Sequence, residues 1–262
     1  QFFLGREVDI YYILTAILKM RKRLVSVLGE TGIGRSSLAC ALCHYINERA
    51  STITEIQRIY FIKPKHGGRN VSCRSLLKQL VDKLAEAGKN RPMDEDADTE
   101  TILEWVCKSL KNDKALIVFD RTELLEKSDE SQELPMVLST LLYETKQVKV
   151  LLTGKHPLGQ PSIGGQVEHP FHLGPLNVTN TVRLFVNLCP HLHTPSDRSK
   201  LFNRVVNACG EGADLLPGDP GMDACTKEIL TLVGEGFPAK VEKAAYSISQ
   251  DGLSRLRELA SQ

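Results

Sequence analysis

Residues 28 to 37 read LGETGIGRSS. Gly29, Gly32 and Gly34 allow a backbone curl in which successive N–H groups converge on one anion. A helix starting near Arg35 would aim its positive end at the same point. The spacing Gly29-x-x-x-x-Gly34-Arg35-Ser36 fits the phosphate-loop pattern GxxxxGK[ST] at every defined position except the lysine. Thr31, Ile33 and Ser37 complete the loop, and Ser36 carries the hydroxyl suited to Mg²⁺. Taken by itself, the loop fits a ligand-free strand-to-helix turn equally well. The apolar run LIVFD supplies the second requirement, an acidic residue at the end of a neighbouring strand, as Asp120. Glu123 follows at D-x-x-E. It fits either the orienting of a water or a helix cap, and the cap or a structural role is slightly favoured.

These residues need a frame to hold them. Val8, Ile10, Tyr11, Ile13, Leu14, Ile17 and Leu18 give residues 7–22 a helical pattern, followed by a basic turn from Lys19 to Arg23. Short apolar runs predict strands at 24–28, 59–62, 114–120 and 149–153, with a fifth at 171–173. Between them lie amphipathic helices, the loop KPKHGGRN and an acidic stretch around Asp94–Asp98. Apolar strands alternating with such helices predict an α/β fold whose parallel sheet is covered on both faces. Beyond Asn177 the pattern is helical, at 178–188, 196–209, 223–233 and near 239–249. The segment CGEGADLLPGDPG reads as an exposed, mobile loop. The expected domains are an α/β domain over 1–176 and a small helical domain over 177–262.

Composition narrows the class. The 262 residues are 42% hydrophobic and 25% charged with a net charge of +1, ordinary for a globular chain and without a field for nucleic acid. No apolar run reaches the roughly 18 residues of a membrane span. The seven cysteines are odd in number and scattered, which suits reduced thiols and an intracellular, cytoplasmic setting. The chain opens at Gln1 rather than Met and reads as a segment of something longer.

Three metal or cofactor patterns are set aside. Cys40-Ala-Leu-Cys43-His44 spells a haem attachment motif, but it lies in SSLACALCHYINE, an amphipathic helix. Leu38, Ala41, Leu42, Tyr45 and Ile46 form its apolar stripe, and Cys40 and Cys43 read as core or near-core residues. Asp94–Asp98 begins like a calcium loop, but Thr99 and Trp105 stand where Gly and Glu are needed, which leaves a solvated acidic linker. His169, His172, His191 and His193 sit on loop-like segments without a cysteine or carboxylate at zinc spacing.

Six segments together resemble the nucleotide-binding module of STAND-class P-loop ATPases, relatives of NB-ARC domains and the AAA+ group. Leu4-Gly5-Arg6-Glu7 resembles the motif that opens these modules and packs near the adenine. GETGIGRSSL resembles their Walker A, and LIVFDRTELL their Walker B. KVLLTGK resembles the sensor strand, with Lys155 in the arginine's place. FHLGPLNVTNTVRLF resembles the start of the helical domain. Gly236-Phe-Pro238-Ala239 resembles the GxP motif whose proline contacts the base. The resemblance covers nearly the whole chain and implies a three-layer P-loop sandwich of about five parallel strands followed by a helical lid. It also implies ATP or ADP with Mg²⁺, held between sheet domain and lid, Ser36 and Asp120 serving the metal. Exchange of nucleotide would switch the packing of a larger protein, with self-association or other domains of the same chain as partners.

Three departures fall on γ-phosphate chemistry. Arg35 is wider and planar where a compact lysine is expected, and would hold phosphate from the rim. Lys155 lacks a bidentate fork. Arg121 stands where NB-ARC domains often keep a second aspartate. The expectation is binding that is weakened or biased toward ADP, with slow or no turnover. The alternative is a pseudo-ATPase scaffold that binds no nucleotide. A DNA-dependent motor is disfavoured, because the basic cluster at Lys19–Arg23 more often marks a solvated turn.

Overall fold

The computed structural model describes residues 3–64, 72–89, 97–125 and 133–262. The loop KPKHGGRN beyond Pro64 and the acidic stretch as far as Asp96 lie outside these residues. Asp98 is described, and it caps a helix: its side chain accepts from the Thr101 N–H at 2.7 Å.

The larger of two compact units comprises Asp9–Gly29 and Arg35–His172. It holds a five-stranded sheet of β1 (Leu24–Leu28), β2 (Arg58–Ile62), β3 (Ala115–Phe119), β4 (Lys149–Gly154) and β5 (His169–His172). All neighbours pair in parallel, in the order β2-β3-β4-β1-β5. Every residue of β1 and β3 is buried, as strands covered on both faces require. One face is packed by α3 (Cys73–Glu86), α4 (Thr99–Leu110) and α5 (Glu133–Glu144), through Leu77, Leu80, Val106, Leu110, Leu138 and Leu141 against Tyr60, Ile117, Phe119 and Val150. The helix α2 (Arg35–Glu48) packs on β1 and β4 through Leu38, Ala39, Leu42 and Ile46. The α/β class and its parallel sheet are as the apolar runs predict.

Several local expectations are corrected. The helix expected over 7–22 is α1 (Glu7–Leu14), which passes into a π-turn over Thr15–Lys19 closed by Met20 N–H to the Thr15 carbonyl at 2.9 Å. Ile13, Ala16 and Ile17 are buried on one face, while Val8 and Tyr11 are exposed. Arg23 is no solvated turn residue. It donates to the carbonyls of Val148, Leu142 and Thr145 at 2.9, 3.0 and 2.6 Å, tying the end of α5 to the start of β4. Cys40 faces out from α2 rather than into the core, while Cys43 is half-buried. His169 and His172 belong to β5, not to a loop.

The second unit comprises the residues up to Val8, Glu30–Gly34 and Leu173–Gln262. Its helices are α6 (Val178–Leu188), α7 (Pro195–Cys209), α8 (Ala224–Val233), α9 (Pro238–Ser247) and α10 (Gln250–Leu259). Phe185, Val205, Ile229, Val241, Leu253 and Leu256 are at the centre of its core. Caps at Asn177, Thr194, Asp223 and Ser249 start four of these helices. Sequence reading ended the helical pattern near 249 and missed α10, whose stripe is Leu253, Leu256 and Leu259. The segment 209–221 is not wholly exposed: it contains a 3₁₀ turn over Gly210–Asp214, and Thr179 Oγ1 donates to the Ala213 carbonyl at 2.6 Å. Among the described residues no helix is long and apolar enough to cross a membrane.

Candidate functional site

β1 ends at Leu28 and α2 begins at Arg35, so the glycine loop is the strand-to-helix turn its spacing predicts. Gly32 and Gly34 have φ of 88° and 101°, a region closed to most side chains, and Ile33 N–H closes the turn on the Glu30 carbonyl at 3.2 Å. Gly29, at the end of the sheet, donates to the Gly154 carbonyl of β4 at 3.3 Å. Ile33 is buried, whereas Thr31 and Ser37 are exposed.

In the α/β unit the chemistry-bearing side chains converge on Asp120, which follows β3 and is 1% exposed. Ser36 Oγ donates to Asp120 Oδ1 at 2.7 Å and Thr153 Oγ1 donates to the same oxygen at 2.6 Å. Thr153 in turn accepts from the Arg121 N–H at 2.8 Å, and its carbonyl accepts from Thr122 Oγ1 at 3.1 Å. Arg121 takes a left-handed conformation with φ of 60° and starts the short 3₁₀ turn Thr122–Leu124 that carries Glu123. β4 lies between β1 and β3, so Asp120 is not on the strand next to the loop strand as expected. Thr153 on that inserted strand fills the gap. Sequence reading missed Thr153, whose only local signal was a hydroxyl at the end of an apolar strand.

Arg35 is buried and its Nη2 donates to Glu123 Oε1 at 2.6 Å. Arg35 is thus held in a buried pair, and Glu123 has the structural role favoured for it, paired with the residue that replaces the lysine. Arg35 Nη1, Glu123 Oε2 and Asp120 Oδ2 are buried without a hydrogen-bond partner among the described residues. Buried polar atoms are ordinarily paired, so these three have capacity for a further partner. Arg35 and Glu123 neutralise one another, and the hydroxyls on Asp120 Oδ1 bring no counter-charge. The Asp120 carboxylate beside the Ser36 hydroxyl is an oxygen donor pair of the kind that fits Mg²⁺. Lys155, one residue beyond β4, is exposed.

The helical unit holds the other expected residues. Arg6 is buried and its Nη2 donates to the Ile33 carbonyl at 3.1 Å. Leu4 is half-buried, and Gly5, with φ of 70°, lies against the Asn180 side chain so closely that a Cβ would collide with it. Ala239 N–H donates to the Gly32 carbonyl at 3.1 Å, and a Cβ on Gly34 would lie 3.6 Å from Pro238 Cγ. The first residues of the chain and the Pro238–Ala239 turn thus both touch residues 32–34.

A parallel sheet with flanking helices, a glycine loop between β1 and α2, and an acid following β3 define a P-loop NTPase. The NACHT domain model matches residues 23–191, well over half of the chain, and the chain belongs to that family, a branch of the STAND P-loop NTPases. A Walker-type ATPase of Pyrococcus abyssi is similar at 16% identity and a TM-score of 0.52, over 98% of this chain and 72% of that one. Drosophila ORC, solved bound to DNA, matches at 15% identity and 0.56, over 99% and 68%. The Aeropyrum pernix ORC2 protein, solved as ADPNP–ADP complexes, matches at 14% identity and 0.51, over 98% and 67%. At these identities the likeness shows the fold. A search of curated proteins found no match.

Proposed function

We propose that this NACHT module is a nucleotide-binding switch that takes ATP or ADP with Mg²⁺ and turns nucleotide over slowly or not at all. The observation that carries the reading is the hydrogen-bonded trio of Ser36, Thr153 and Asp120, with Asp120 Oδ2 lacking a hydrogen-bond partner among the described residues. When bound, Mg²⁺ would supply charge neutralisation for the phosphates. Ser36 and Asp120 would hold it, and the backbone of residues 29–36 would cradle the phosphates at the start of α2. Thr153 orients Asp120 by fixing Oδ1. Leu4, Gly5, Arg6 and Pro238 would serve the base end of the ligand, and Lys155 the γ-phosphate. Slow turnover follows from Arg35: a guanidinium paired with Glu123 delivers no compact charge to a transferring phosphoryl group. Signalling within a larger protein and self-association belong to the same proposal, on the strength of the family.

The Arg35–Glu123 pair also favours a second reading, a scaffold that keeps the fold and binds no nucleotide. Thermal unfolding with Mg²⁺ and ADP, ATP or neither separates the two, because a ligand specific for the folded state raises its stability by mass action. A raised midpoint supports the switch. No rise with either nucleotide, in the chain as it stands and in Glu123→Gln, would leave the scaffold.

A further inference from the structure

The Arg35–Glu123 contact is built from one arm of each side chain. Nη2 meets Oε1 at 2.6 Å, while Nη1 and Oε2 are buried with no hydrogen-bond partner among the described residues. A guanidinium fork satisfies two oxygens of one carboxylate or one phosphate when it can. Here it is half engaged, on a residue 88 positions away and at the position where a phosphate-loop side chain would meet the phosphates. The pair is also neutral as a unit, so while it is closed Arg35 offers a phosphate little net attraction.

We propose that Glu123 is an internal competitor for Arg35, occupying the guanidinium that would otherwise grip the nucleotide's phosphates. This rests on the nucleotide-binding reading above and adds an affinity-setting role for Glu123. Phosphate binding requires Arg35 to leave the carboxylate or to share itself between carboxylate and phosphate, and both cost the pair's own attraction. Glu123 thereby holds the site weak, and whatever draws Glu123 away from Arg35 makes it tight. A purely structural ion pair would tune folding stability and leave phosphate affinity alone.

The test is calorimetric titration of the chain with Mg²⁺–ADP, Mg²⁺–pyrophosphate and adenosine. Glu123→Gln, which keeps an acceptor but removes the charge, is expected to bind ADP and pyrophosphate about tenfold more tightly, the worth of one charge-assisted contact given up. Adenosine affinity is expected to stay unchanged. Glu123→Ala, which leaves room for water around the guanidinium, serves if the glutamine variant fails to fold. In an Arg35→Gln background the gain should vanish. If it persists there at full size, plain repulsion by Glu123 is the cause and the exchange is overturned. Binding by the unaltered chain that Glu123→Gln leaves equal or weakens overturns this inference alone. No binding of ADP or pyrophosphate by any variant overturns the nucleotide reading and this inference with it.

Discussion

Arg35 Nη2 sits 2.6 Å from Glu123 Oε1, and the two side chains are only 7% and 11% exposed. A pair so buried is costly to break from one side, because the charge left behind has neither water nor partner. Arg35→Ala is expected to cost about 3–5 kcal/mol. The double replacement Arg35→Met and Glu123→Leu, which removes both charges at similar volume, should come within about 1 kcal/mol of the unaltered chain or exceed it. Urea unfolding of the three proteins checks this. Equal losses in the single and double variants would mean that packing, not charge, fixes Arg35.

Asp120 can be tested separately for metal binding and for folding. Asp120→Asn keeps one acceptor for Ser36 and Thr153 but removes the charge that suits a cation. Its cost without ligand is expected to be about 1–2 kcal/mol, the weakening of two charge-assisted hydrogen bonds. Its effect on binding should be larger. At nucleotide about 100-fold above Kd the unaltered chain gains about 2.7 kcal/mol, and the variant should lose the part of that gain that depends on Mg²⁺. Unfolding with ADP, with and without Mg²⁺, provides the comparison. A gain in the variant that still depends on Mg²⁺ would place the metal elsewhere.

The legible parts of this molecule were those encoded over a few neighbouring residues. LVSVL and ALIVF are short apolar runs with no polar face, and buried parallel strands leave that trace. The glycine loop was legible for the same reason, since three positive-φ or tight-turn positions must be glycine within six residues. What escaped depends on partners distant in sequence. Nothing near Lys149 says that β4 enters between β1 and β3, and nothing near Glu123 names Arg35 as its partner. The helix α10 carries a glycine, Gly252, among its first residues. In the fold it sits in the first turn, where its N–H meets the Ser249 cap. Cys40 and Cys43 are three residues apart on one helix, yet only Cys43 turns partly inward. Periodicity fixed that helix without fixing its rotation.

Gly234 ends α8 in the left-handed region at φ 105°. A Cβ there would press into the backbone of the next helix, lying 2.7 Å from the Lys240 carbonyl carbon and 2.6 Å from Val241 Cα. Backbone cannot swing aside as a side chain can. Gly234→Ala should therefore combine a conformational penalty of about 1–2 kcal/mol with an overpacking penalty of about 1–3 kcal/mol. Gly88, at φ 88° with nothing within 4 Å, is the matched control and should show only the first cost. Chemical denaturation followed by helical circular dichroism checks the pair. Equal losses at both sites would mean that α8 and α9 have room to separate.

Cys107 gives a pH prediction with a definite sign. It is buried on α4, and burial, aided by the nearby Glu144 charge, pushes its thiol up from 9.0 to about 12. Between those values the unfolded chain releases the thiol proton and the folded chain keeps it. The unfolded state then binds fewer protons, so stability contributed by this group is full below pH 9 and falls as pH rises, by up to about 1.4 kcal/mol per unit. Other groups titrate in the same range, so the informative quantity is the difference between the chain and Cys107→Ala. The variant should start lower, by a small cavity cost, and lose less on going from pH 8 to pH 10.5. The two stability curves should converge with rising pH in urea titrations. Parallel curves would show that the Cys107 thiolate is accommodated in the fold, and that α4 opens to water around it.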